Sequence, residues 1–515
     1  MSQVSSNNKR IAKNTLLLYF RMLFMMAISL YTSRVVLNAL GVEDFGIYNV
    51  VGGVVAMFGF INAAMATGTQ RYLTFELGRD NFPRLQLVFS TSLIIHALIA
   101  FLIIILAETI GLWFLYEKMI IPVERMEAAL WAYQFSILST VVMILSVPYN
   151  AAIIAHEKMN TFAYISVLEV VLKLTVAYML SISETDKLKL YAILLFLVQL
   201  SVRFIYSAYC GKHFKETTFC RKWDKKLFAE MTSFAGWNLW GNCAAIAFTQ
   251  GLNILLNMFF GPTVNAARGV AVQVQGAVTQ FSRNFQTALN PQITKSYASG
   301  DKAYMYSLIY RSSKFTFFLL LFLSLPVMLE TETILKLWLK TVPEHTVVFL
   351  RLMLCTTIID AVANPLMVSA AATGKIKIYQ GVIGGILLCI LPVSYVVLKM
   401  GGSPASVFVV HLCIFIIAFI VRLFIIRPMV NLSLLDYFRK VILNCLYTGT
   451  AALIAPLAVK YTLPTNTLLA FLIVCTVCML SVSLCTYYLG LTNPERQFIF
   501  NKMSIAWHKF RKSKT

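Results

Sequence analysis

The sequence predicts an all-α polytopic membrane protein with about 14 transmembrane helices. Three observations favour this fold class: 59% of the residues are hydrophobic, only 13% are charged, and the mean hydropathy is +0.74. Runs of roughly 20 apolar residues are long enough to cross a bilayer as helices, and this chain contains many of them. The residue alternation that is typical of a membrane β-barrel is absent. The composition therefore excludes a soluble globular protein.

The predicted spans are separated by short polar segments. They cover residues 14–37, 46–68, 86–112, 128–150, 160–182, 188–209, 233–260, 263–290, 314–339, 345–371, 376–399, 404–427, 441–461 and 465–489. This series predicts a six-helix bundle over residues 1–210, a basic linker over 211–230, a second six-helix bundle over 231–430, and two further helices with a basic tail over 431–515. Pro148, Pro326, Pro365 and Pro392 lie inside spans and predict bends.

A weak internal repeat agrees with this division. Gly41 and Gly78 are 37 residues apart in the first half, and Gly261 and Gly300 are 39 residues apart in the second. Six spans per repeat preserve orientation, so the halves would be related by an axis along the membrane normal, as in transporters that rock two bundles about a central site.

The net charge of +22 follows the predicted membrane topology. Roughly 28 of the Lys and Arg residues fall in the two tails and the even-numbered loops, against roughly 8 in the odd-numbered loops, which predicts that both termini are cytoplasmic. The two largest basic clusters are Lys212, Lys215, Arg221, Lys222, Lys225 and Lys226, and Lys509, Arg511, Lys512 and Lys514. We expect these clusters to fix topology and to contact anionic lipids, and we do not expect nucleic-acid binding.

The ten cysteines do not indicate a disulfide framework or a metal site. Most of them lie inside spans, where a cysteine behaves as a small hydrophobic residue. Cys475 and Cys478 form a CxxC pair, but they lie in mid-span without a second pair or a nearby histidine. His96 and His411 stand alone in their spans, where packing or a protonation switch are the two interpretations. The N-terminal segment lacks a small-residue cleavage site, so a removable signal peptide is not expected.

Basic residues outnumber acidic ones inside the spans by about eight to two, which predicts a path for an anion because buried charges are costly in lipid. The eighth span carries Arg268, Gln275 and Arg283 on one helical face, and its two arginines lie about 22 Å apart along the axis. Asn242 and Asn253 recur at helical spacing in the preceding span. We expect these residues to line a cavity, with hydrogen bonds between helices as the alternative interpretation of the amides.

Further arginines extend the predicted path. Arg21 lies about 10 Å inside the first span, too deep to lack a polar partner or water. Arg351 is also predicted to face a water-filled cavity. Arg34, together with Arg203 and Arg422, lies near enough to an interface that snorkelling is an equal interpretation.

Two acidic residues lie well inside spans and are candidates for coupling transport to H+ or Na+. Glu169 and Lys173 are four residues apart on one helix, so a structural ion pair is as good an interpretation as an ion relay. Asp360 follows Arg351 by nine residues, which places the two on opposite helical faces. Asp360 must therefore find another partner, be protonated, or bind a coupling ion.

The sequence resembles the bacterial polysaccharide-biosynthesis flippases of the Wzx type. The resemblance is carried by NTLLLYFRMLFMMAISLYTSRVVLNALGVEDFGIYNVVGG, by ATGTQRYLTFELG, and by MTSFAGWNLWGNCAAIAFTQGLNILLNMFFGPTVNAARGVA. Their superfamily also includes multidrug and toxic-compound extruders and peptidoglycan lipid-precursor flippases. The resemblance implies a V-shaped pair of six-helix bundles in the bacterial inner membrane and outward translocation of an undecaprenyl-pyrophosphate-linked oligosaccharide by alternating access. It supplies no residue signature for a site.

The residues and the resemblance together predict a transporter and not an enzyme. In the primary hypothesis the arginines bind the pyrophosphate and acidic sugars, because guanidinium groups bind phosphate in a forked geometry, while amides contact glycan. Lipid-linked oligosaccharide, anionic lipids, and a polysaccharide polymerase or glycosyltransferases are the expected partners, and no cofactor is expected. The alternatives are a cation-coupled multidrug or metabolite extruder and a peptidoglycan-precursor flippase; an integral glycosyltransferase is disfavoured because the external loops are short.

Overall fold

The computed structural model describes residues 2–57, 59–117, 119, 121–222, 224–339, 342–462 and 467–497. Within these residues the chain is helical and contains no strand. The C-terminal basic run that was predicted to contact lipid lies outside the described residues.

Eighteen α-helices are present in the described part of the chain. The first nine are α1 (Ser2–Met57), α2 (Gly59–Gly78), α3 (Phe82–Leu106), α4 (Leu112–Glu117), α5 (Met126–Ala155), α6 (Met159–Ile182), α7 (Lys187–His213), α8 (Lys225–Phe260) and α9 (Pro262–Ala298). The remaining nine are α10 (Lys302–Leu329), α11 (Thr331–Leu339), α12 (Thr346–Ala372), α13 (Lys377–Leu388), α14 (Ile390–Lys399), α15 (Ser406–Val430), α16 (Leu434–Tyr437), α17 (Leu443–Thr462) and α18 (Leu468–Cys485). Short π-helical turns at Ala107–Gly111, Phe438–Ile442 and Thr486–Gly490, and 3₁₀ turns at Val123–Arg125 and Lys215–Thr217, complete the secondary structure.

The prediction of an all-α polytopic membrane protein is confirmed. Among the described residues, 12 helical stretches are long and apolar enough to cross a membrane. Two predicted spans lie outside this set. The span at 46–68 runs across residue 58, which lies outside the described residues, and the span at 263–290 lies in α9, whose arginines and glutamines make it too polar to face lipid.

The glycines of the internal repeat share a backbone conformation. Gly41 has φ 81° and interrupts α1, and Gly261 has φ 78° and separates α8 from α9. In the second pair of positions, Gly300 has φ 80°, whereas in the first half Asp80, two residues after Gly78, takes the left-handed conformation with φ 53°. A residue with a side chain adopts positive φ at a cost, so Gly41, Gly261 and Gly300 end their helices without strain.

The four predicted proline bends lie within helices or at a helix break. Pro148, Pro326 and Pro365 lie inside α5, α10 and α12. Pro392 lies in the first turn of α14, and Cys389 separates that helix from α13. Proline has no amide hydrogen and its ring clashes with the carbonyl four residues earlier, so the break at this position follows from the sequence.

The chain forms two compact units. The first unit comprises Met1–Ala244, Thr287–Met305 and Val368–Gly384, and the second comprises Ala245–Gln286, Tyr306–Met367 and Gly385–Thr515. Each unit has its own apolar core, which includes Phe89 and Met231 in the first unit and Phe349 and Phe408 in the second. The domain limits predicted from the sequence and the V-shaped arrangement remain predictions.

Ion pairs join helix ends within the first unit. Arg125, just before α5, donates to both carboxylate oxygens of Asp44 at 2.8 and 2.6 Å and to those of Asp186 at 2.8 and 3.2 Å. Asp186 also accepts hydrogen bonds from the first amides of α7. Partial burial raises the pKa of the Asp186 carboxyl, but the hydrogen bonds and the attraction to Arg125 outweigh burial and hold this pKa below its ordinary value.

A second group of ion pairs surrounds the turn between α5 and α6. The fully buried Glu157 carboxylate accepts a hydrogen bond from Lys295 at 2.8 Å and another from Gln292. His156 contacts Glu216 in the basic linker. Burial raises the pKa of Glu216, yet the contacts with His156 and the backbone hydrogen bond outweigh it, so the pKa lies below its ordinary value. These paired charges tie the predicted linker to the first unit.

Candidate functional site

A cavity of about 400 Å³ lies within the second unit, between α8, α9, α12 and α15. One face of α9 supplies its most polar wall. The lining residues from that face are Arg268, Gln275, Gly276, Thr279, Ser282, Arg283 and Gln286. Three of these, Arg268, Gln275 and Arg283, were assigned to one helical face from their spacing, because residues 7 and 15 positions after the first return to similar angles at about 100° per residue. The structure places that face on the cavity.

Arg268 is held firmly in the cavity wall. Its side chain is 5% exposed, and its guanidinium donates to Asn253 Oδ1 and, at 2.9 Å, to the carbonyl oxygen of Thr249. Asn253 in turn donates to Gln250 Oε1 at 3.0 Å. A buried guanidinium needs such acceptors because an unsatisfied charged donor costs several kcal/mol. The predicted amide of α8 therefore orients the predicted arginine of α9.

The opposite wall comes from α12. Gln275 donates to Thr357 Oγ1 at 2.7 Å, which joins α9 to α12. Asp360 and Asn364 lie one turn apart on α12, and both line the cavity. These contacts place the predicted coupling carboxylate, Asp360, in the same cavity as Arg268 and Arg283.

Arg422 of α15 corrects one expectation. The sequence left interfacial snorkelling open for this residue, but its side chain is only 7% exposed in the structure. Arg422 Nη1 lies 3.8 Å from Asp360 Oδ1. This ion pair answers the question of which residue neutralises Asp360, since Arg351 on the same helix faces the other way. The nearby carboxylate lowers the cost of burying the guanidinium of Arg422.

Sequence reasoning did not assign the other polar residues of the cavity. Asn364 follows Asp360 by four residues, and that spacing could have placed both on one face. His411 of α15 also lines the cavity, where its ring packs against Phe248 and Phe415 at centroid distances of 5.3 and 4.6 Å. The packing interpretation of His411 agrees with these ring contacts.

The charges of the lining give the cavity a positive character. Its described lining includes two guanidinium groups, those of Arg268 and Arg283, and one carboxylate, that of Asp360. Arg422 lies beside that carboxylate. Apolar side chains such as Phe408 and Leu252 complete the walls. Amides, hydroxyls and guanidinium groups on an apolar wall suit an amphipathic molecule with a negative charge.

Three of the predicted substrate-binding residues lie in the first unit. Arg21 donates to Ser166 Oγ at 3.0 Å, and its guanidinium lies 4.5 Å from the centre of the Phe162 ring. This polar partner meets the requirement inferred from the depth of Arg21. Arg34 and Asn242 are exposed. The proposed meeting of Arg21 with Arg268 and Arg283 in one chamber remains a prediction.

The structure does not place Arg351 on the cavity. Its Nε donates to the carbonyl oxygen of Met328 at 2.9 Å and lies 3.3 Å from Thr331 Oγ1. Met328 lies in the last turn of α10, where unsatisfied carbonyl groups carry a partial negative charge. Arg351 therefore stabilises the end of α10.

Glu169 and Lys173 form the predicted ion pair, with Lys173 Nζ 2.6 Å from Glu169 Oε1. Glu169 also accepts a hydrogen bond from Gln199 of α7 at 3.1 Å. These contacts agree with a structural pair between α6 and α7. Within the described residues, no group of three or more His, Cys, Asp or Glu side chains could hold a metal ion.

Comparison with known proteins finds a matching family model and solved structures with a similar architecture. The family model MatE matches residues 18–179. No curated protein sequence matches the chain. Solved structures of transporters match it over most of its length, at sequence identities that establish the fold alone.

Three of those structures illustrate the similarity. A multidrug resistance MATE family transporter of the MOP superfamily, in an outward-facing conformation, has a TM-score of 0.69 at 14% identity, covering 82% of this chain and 96% of that one. A MOP superfamily transporter from Pyrococcus furiosus, described as having a binding pocket of reverse polarity that suggests a different function, has a TM-score of 0.68 at 13% identity over 82% and 96% of the two chains. The MATE transporter ClbM in complex with Rb+ has a TM-score of 0.68 at 15% identity over 84% and 97%.

At these identities the similarity establishes the fold and does not choose between the extruder and the lipid-linked oligosaccharide flippase. The Wzx-type assignment and the bacterial inner membrane are thus left to proposal. The family model MatE matches residues 18–179, and the chain has the fold of solved MATE transporters of the MOP superfamily; with 12 candidate spans among its described residues it is a multi-pass membrane protein.

Proposed function

We propose that the protein is an alternating-access extruder that exports an amphipathic organic anion through the cavity of its second unit. The observation that carries this proposal is the presence of Arg268 and Arg283 on one wall of a cavity with a single carboxylate, itself beside Arg422. The volume of about 400 Å³ suits a drug-sized ligand. An organic cation would favour an excess of carboxylates instead.

The comparisons support an extruder whose substrate polarity differs from that of cation exporters. The Pyrococcus furiosus relative is described by a reversed pocket polarity that suggests a different function. A transporter fold can thus keep its architecture while the charges of its pocket change. A basic pocket in this chain fits the same pattern.

Coupling to a cation is part of the proposal. Asp360 lies on the substrate cavity and pairs with Arg422, so a proton or Na+ at Asp360 would weaken that pair and change the charge that the substrate meets. The ClbM relative is described in complex with Rb+, which supports testing monovalent cations. Glu169 is the second predicted coupling residue, but its contacts with Lys173 and Gln199 support a structural role.

Transport in proteoliposomes tests the function. We expect uptake of fluorescein, an anionic probe, into vesicles that contain inverted protein, and we expect little uptake of the cation ethidium. Arg268→Gln and Arg283→Gln should reduce fluorescein uptake by about tenfold or more, since each removes a charge-assisted contact. Lys302→Gln, which changes an exposed lysine of the first unit, is the matched control and should transport normally. Ethidium transport without fluorescein transport would overturn the proposal.

The second candidate is the flippase for undecaprenyl-pyrophosphate-linked oligosaccharide in the bacterial inner membrane, with both termini cytoplasmic. The combination of Arg268, Asn253 and Gln275 supports it, because guanidinium groups bind phosphate and amides bind sugar hydroxyls. This candidate predicts that Arg268→Gln or Arg283→Gln abolishes surface-polysaccharide production while the protein reaches the membrane normally. Unchanged surface polysaccharide with lost fluorescein transport would favour the extruder.

A further inference from the structure

A second cavity, of about 470 Å³, lies within the first unit and is separate from the proposed substrate site. It is bounded by the end of α2, the start of α3, the first turns of α8 and the turn between α12 and α13. All of these segments belong to the ends that the distribution of basic residues predicts to be cytoplasmic. The sequence analysis assigned no site there.

Arg71 forms the floor of this cavity. Its side chain is 9% exposed, its Nε donates to the carbonyl oxygen of Ala371 at 3.1 Å, and its Nη2 donates to that of Ala372 at 2.6 Å. The guanidinium also packs 4.6 Å from the centre of the Phe75 ring and 5.8 Å from that of Phe234. These contacts hold Nε and Nη2 in place, and Arg71 lines the cavity.

The turn after α12 permits this close approach. Gly374 has φ 78°, a conformation that strains residues with a side chain. A Cβ atom at this position would also lie 2.9 Å from Arg71 Nη2. Glycine therefore serves two purposes here: it turns the chain into the positively charged segment that holds Lys375 and Lys377, and it admits the guanidinium of Arg71.

The rim of the cavity is strongly basic. Arg79 lies with its guanidinium 4.4 Å from the Phe75 ring, and Lys377 lies with its ammonium group 5.5 Å from the Trp237 ring. The lining cations are Arg71, Arg79, Arg84, Lys375 and Lys377, and the lining carboxylates are Glu76 and Glu230. Both carboxylates pair with the same residue, Arg84, at 3.3 and 3.9 Å. The other four cations also line the cavity, and none of them has a carboxylate within ion-pair distance in the described part of the chain.

Glu76 adds a second requirement. Glu76 is 3% exposed. Its Oε1 pairs with Arg84, whereas its Oε2 is buried and has no hydrogen-bond partner among the described residues. A buried carboxylate oxygen without a donor is costly. A ligand that brings a hydroxyl or ammonium group to Glu76 would satisfy it.

We propose that this cavity binds a phosphate ester that also carries a hydroxyl or ammonium hydrogen-bond donor. Arg71, Lys375 and Lys377 hold the phosphate, the donor reaches Glu76, and the rings of Phe75 and Trp237 cover the carbon atoms between them. The same chemistry occurs in a membrane lipid headgroup and in a soluble phosphate ester.

Binding measurements separate these two sources. The soluble arm titrates sn-glycerol 3-phosphate into the full-length protein in detergent by calorimetry. The lipid arm places the protein in phosphatidylcholine nanodiscs with or without phosphatidylglycerol and counts retained phosphatidylglycerol by native mass spectrometry. Binding in the first arm alone identifies a soluble ester, and retention in the second arm identifies a headgroup. A folded protein that binds neither probe overturns the proposal.

Variants assign any binding to this cavity. The double variant Lys375→Gln, Lys377→Gln changes two exposed side chains, so it should fold, and we expect its affinity to fall by about tenfold or more. Glu76→Gln should lower the preference for glycerol phosphate over inorganic phosphate, because the ligand donor loses a charged acceptor. Lys302→Gln and Arg283→Gln should bind normally; weakened binding in Arg283→Gln would assign the ligand to the substrate cavity and overturn the proposal.

Discussion

Removing a single charge from the substrate cavity should change substrate affinity in a direction that depends on the sign of the substrate's charge. Asp360→Asn removes the carboxylate from a lining that also holds two arginines, whereas Arg283→Gln removes a guanidinium. If the substrate is an anion, the first change tightens its binding and the second weakens it. If the substrate is a cation, both effects reverse.

The size of the effect follows from the dimensions of the cavity. A volume of about 400 Å³ corresponds to a sphere roughly 9 Å across, so a charge bound across the cavity from Asp360 lies about 8 Å from it. At that distance two unit charges interact by about 0.5 kcal/mol in water and about 2 kcal/mol at an effective dielectric constant of about 20. The Asp360 side chain is 47% exposed, so screening by water favours the lower part of this range. We therefore expect a change of about 2- to 10-fold in the dissociation constant.

Fluorescence anisotropy in detergent provides the assay, with fluorescein as the anion and ethidium as the cation. Asp360→Asn should bind fluorescein more tightly than the unmodified protein does, and Arg283→Gln should bind it more weakly. Gel filtration of each variant must show a single folded species, because Asp360 also pairs with Arg422. Weaker fluorescein binding in Asp360→Asn, with tighter fluorescein binding in Arg283→Gln, would refute the reasoning.

Three further predictions concern stability and can be checked by thermal unfolding in detergent. Arg351→Gln should lower the unfolding midpoint, because Arg351 binds the end of α10, but should leave fluorescein affinity unchanged. Reduced fluorescein affinity at normal stability would instead place Arg351 in the substrate cavity. Arg125→Gln should cost about 1–3 kcal/mol, since it leaves Asp44 and Asp186 without their shared partner. The unmodified protein should also lose this contribution as the pH falls below about 4. Because the pKa of Asp186 is lowered in the folded protein, the contribution is complete above the ordinary value of 3.8 and is lost as the pH falls through the lowered pKa; an acid midpoint equal to that of Arg125→Gln would contradict the assignment. Gly78→Ala should destabilise the protein by about 1–3 kcal/mol, because the new Cβ would lie 2.8 Å from the backbone oxygen of Lys295. Gly241→Ala should destabilise it less, because the new Cβ meets the flexible end of the Gln380 side chain. Equal unfolding midpoints for the two variants would count against the close packing at Gly78.

The sequence predicted best those features that depend on one helix. The fold class follows from apolar runs, and the polar face of α9 follows from helical spacing, so Arg268, Gln275 and Arg283 were assigned to one face correctly. The contact between Glu169 and Lys173 was also predictable, because residues four apart on a helix are neighbours.

Contacts between distant segments could not be predicted in the same way. The sequence predicted a cavity position for Arg351 and left interfacial snorkelling open for Arg422, yet Arg422 pairs with the cavity residue Asp360 and Arg351 binds the end of α10. The phosphate-ester cavity depends on Arg71 contacting Ala371, which is 300 residues away in the sequence. A single sequence contains periodicity but no record of such pairings, so tertiary structure was needed to find them.

The central claim, that the cavity of the second unit attracts anions, is tested most directly by thiol chemistry at its wall. Thr279→Cys, in a background without the native cysteines, would place a thiol on the lining. The rates of its reaction with anionic sulfonatoethyl and cationic trimethylammonioethyl methanethiosulfonates would each be divided by the rate with a free thiol. We predict that the anionic reagent reacts faster on this scale and that Arg283→Gln reduces the difference; a faster reaction with the cationic reagent would contradict the account.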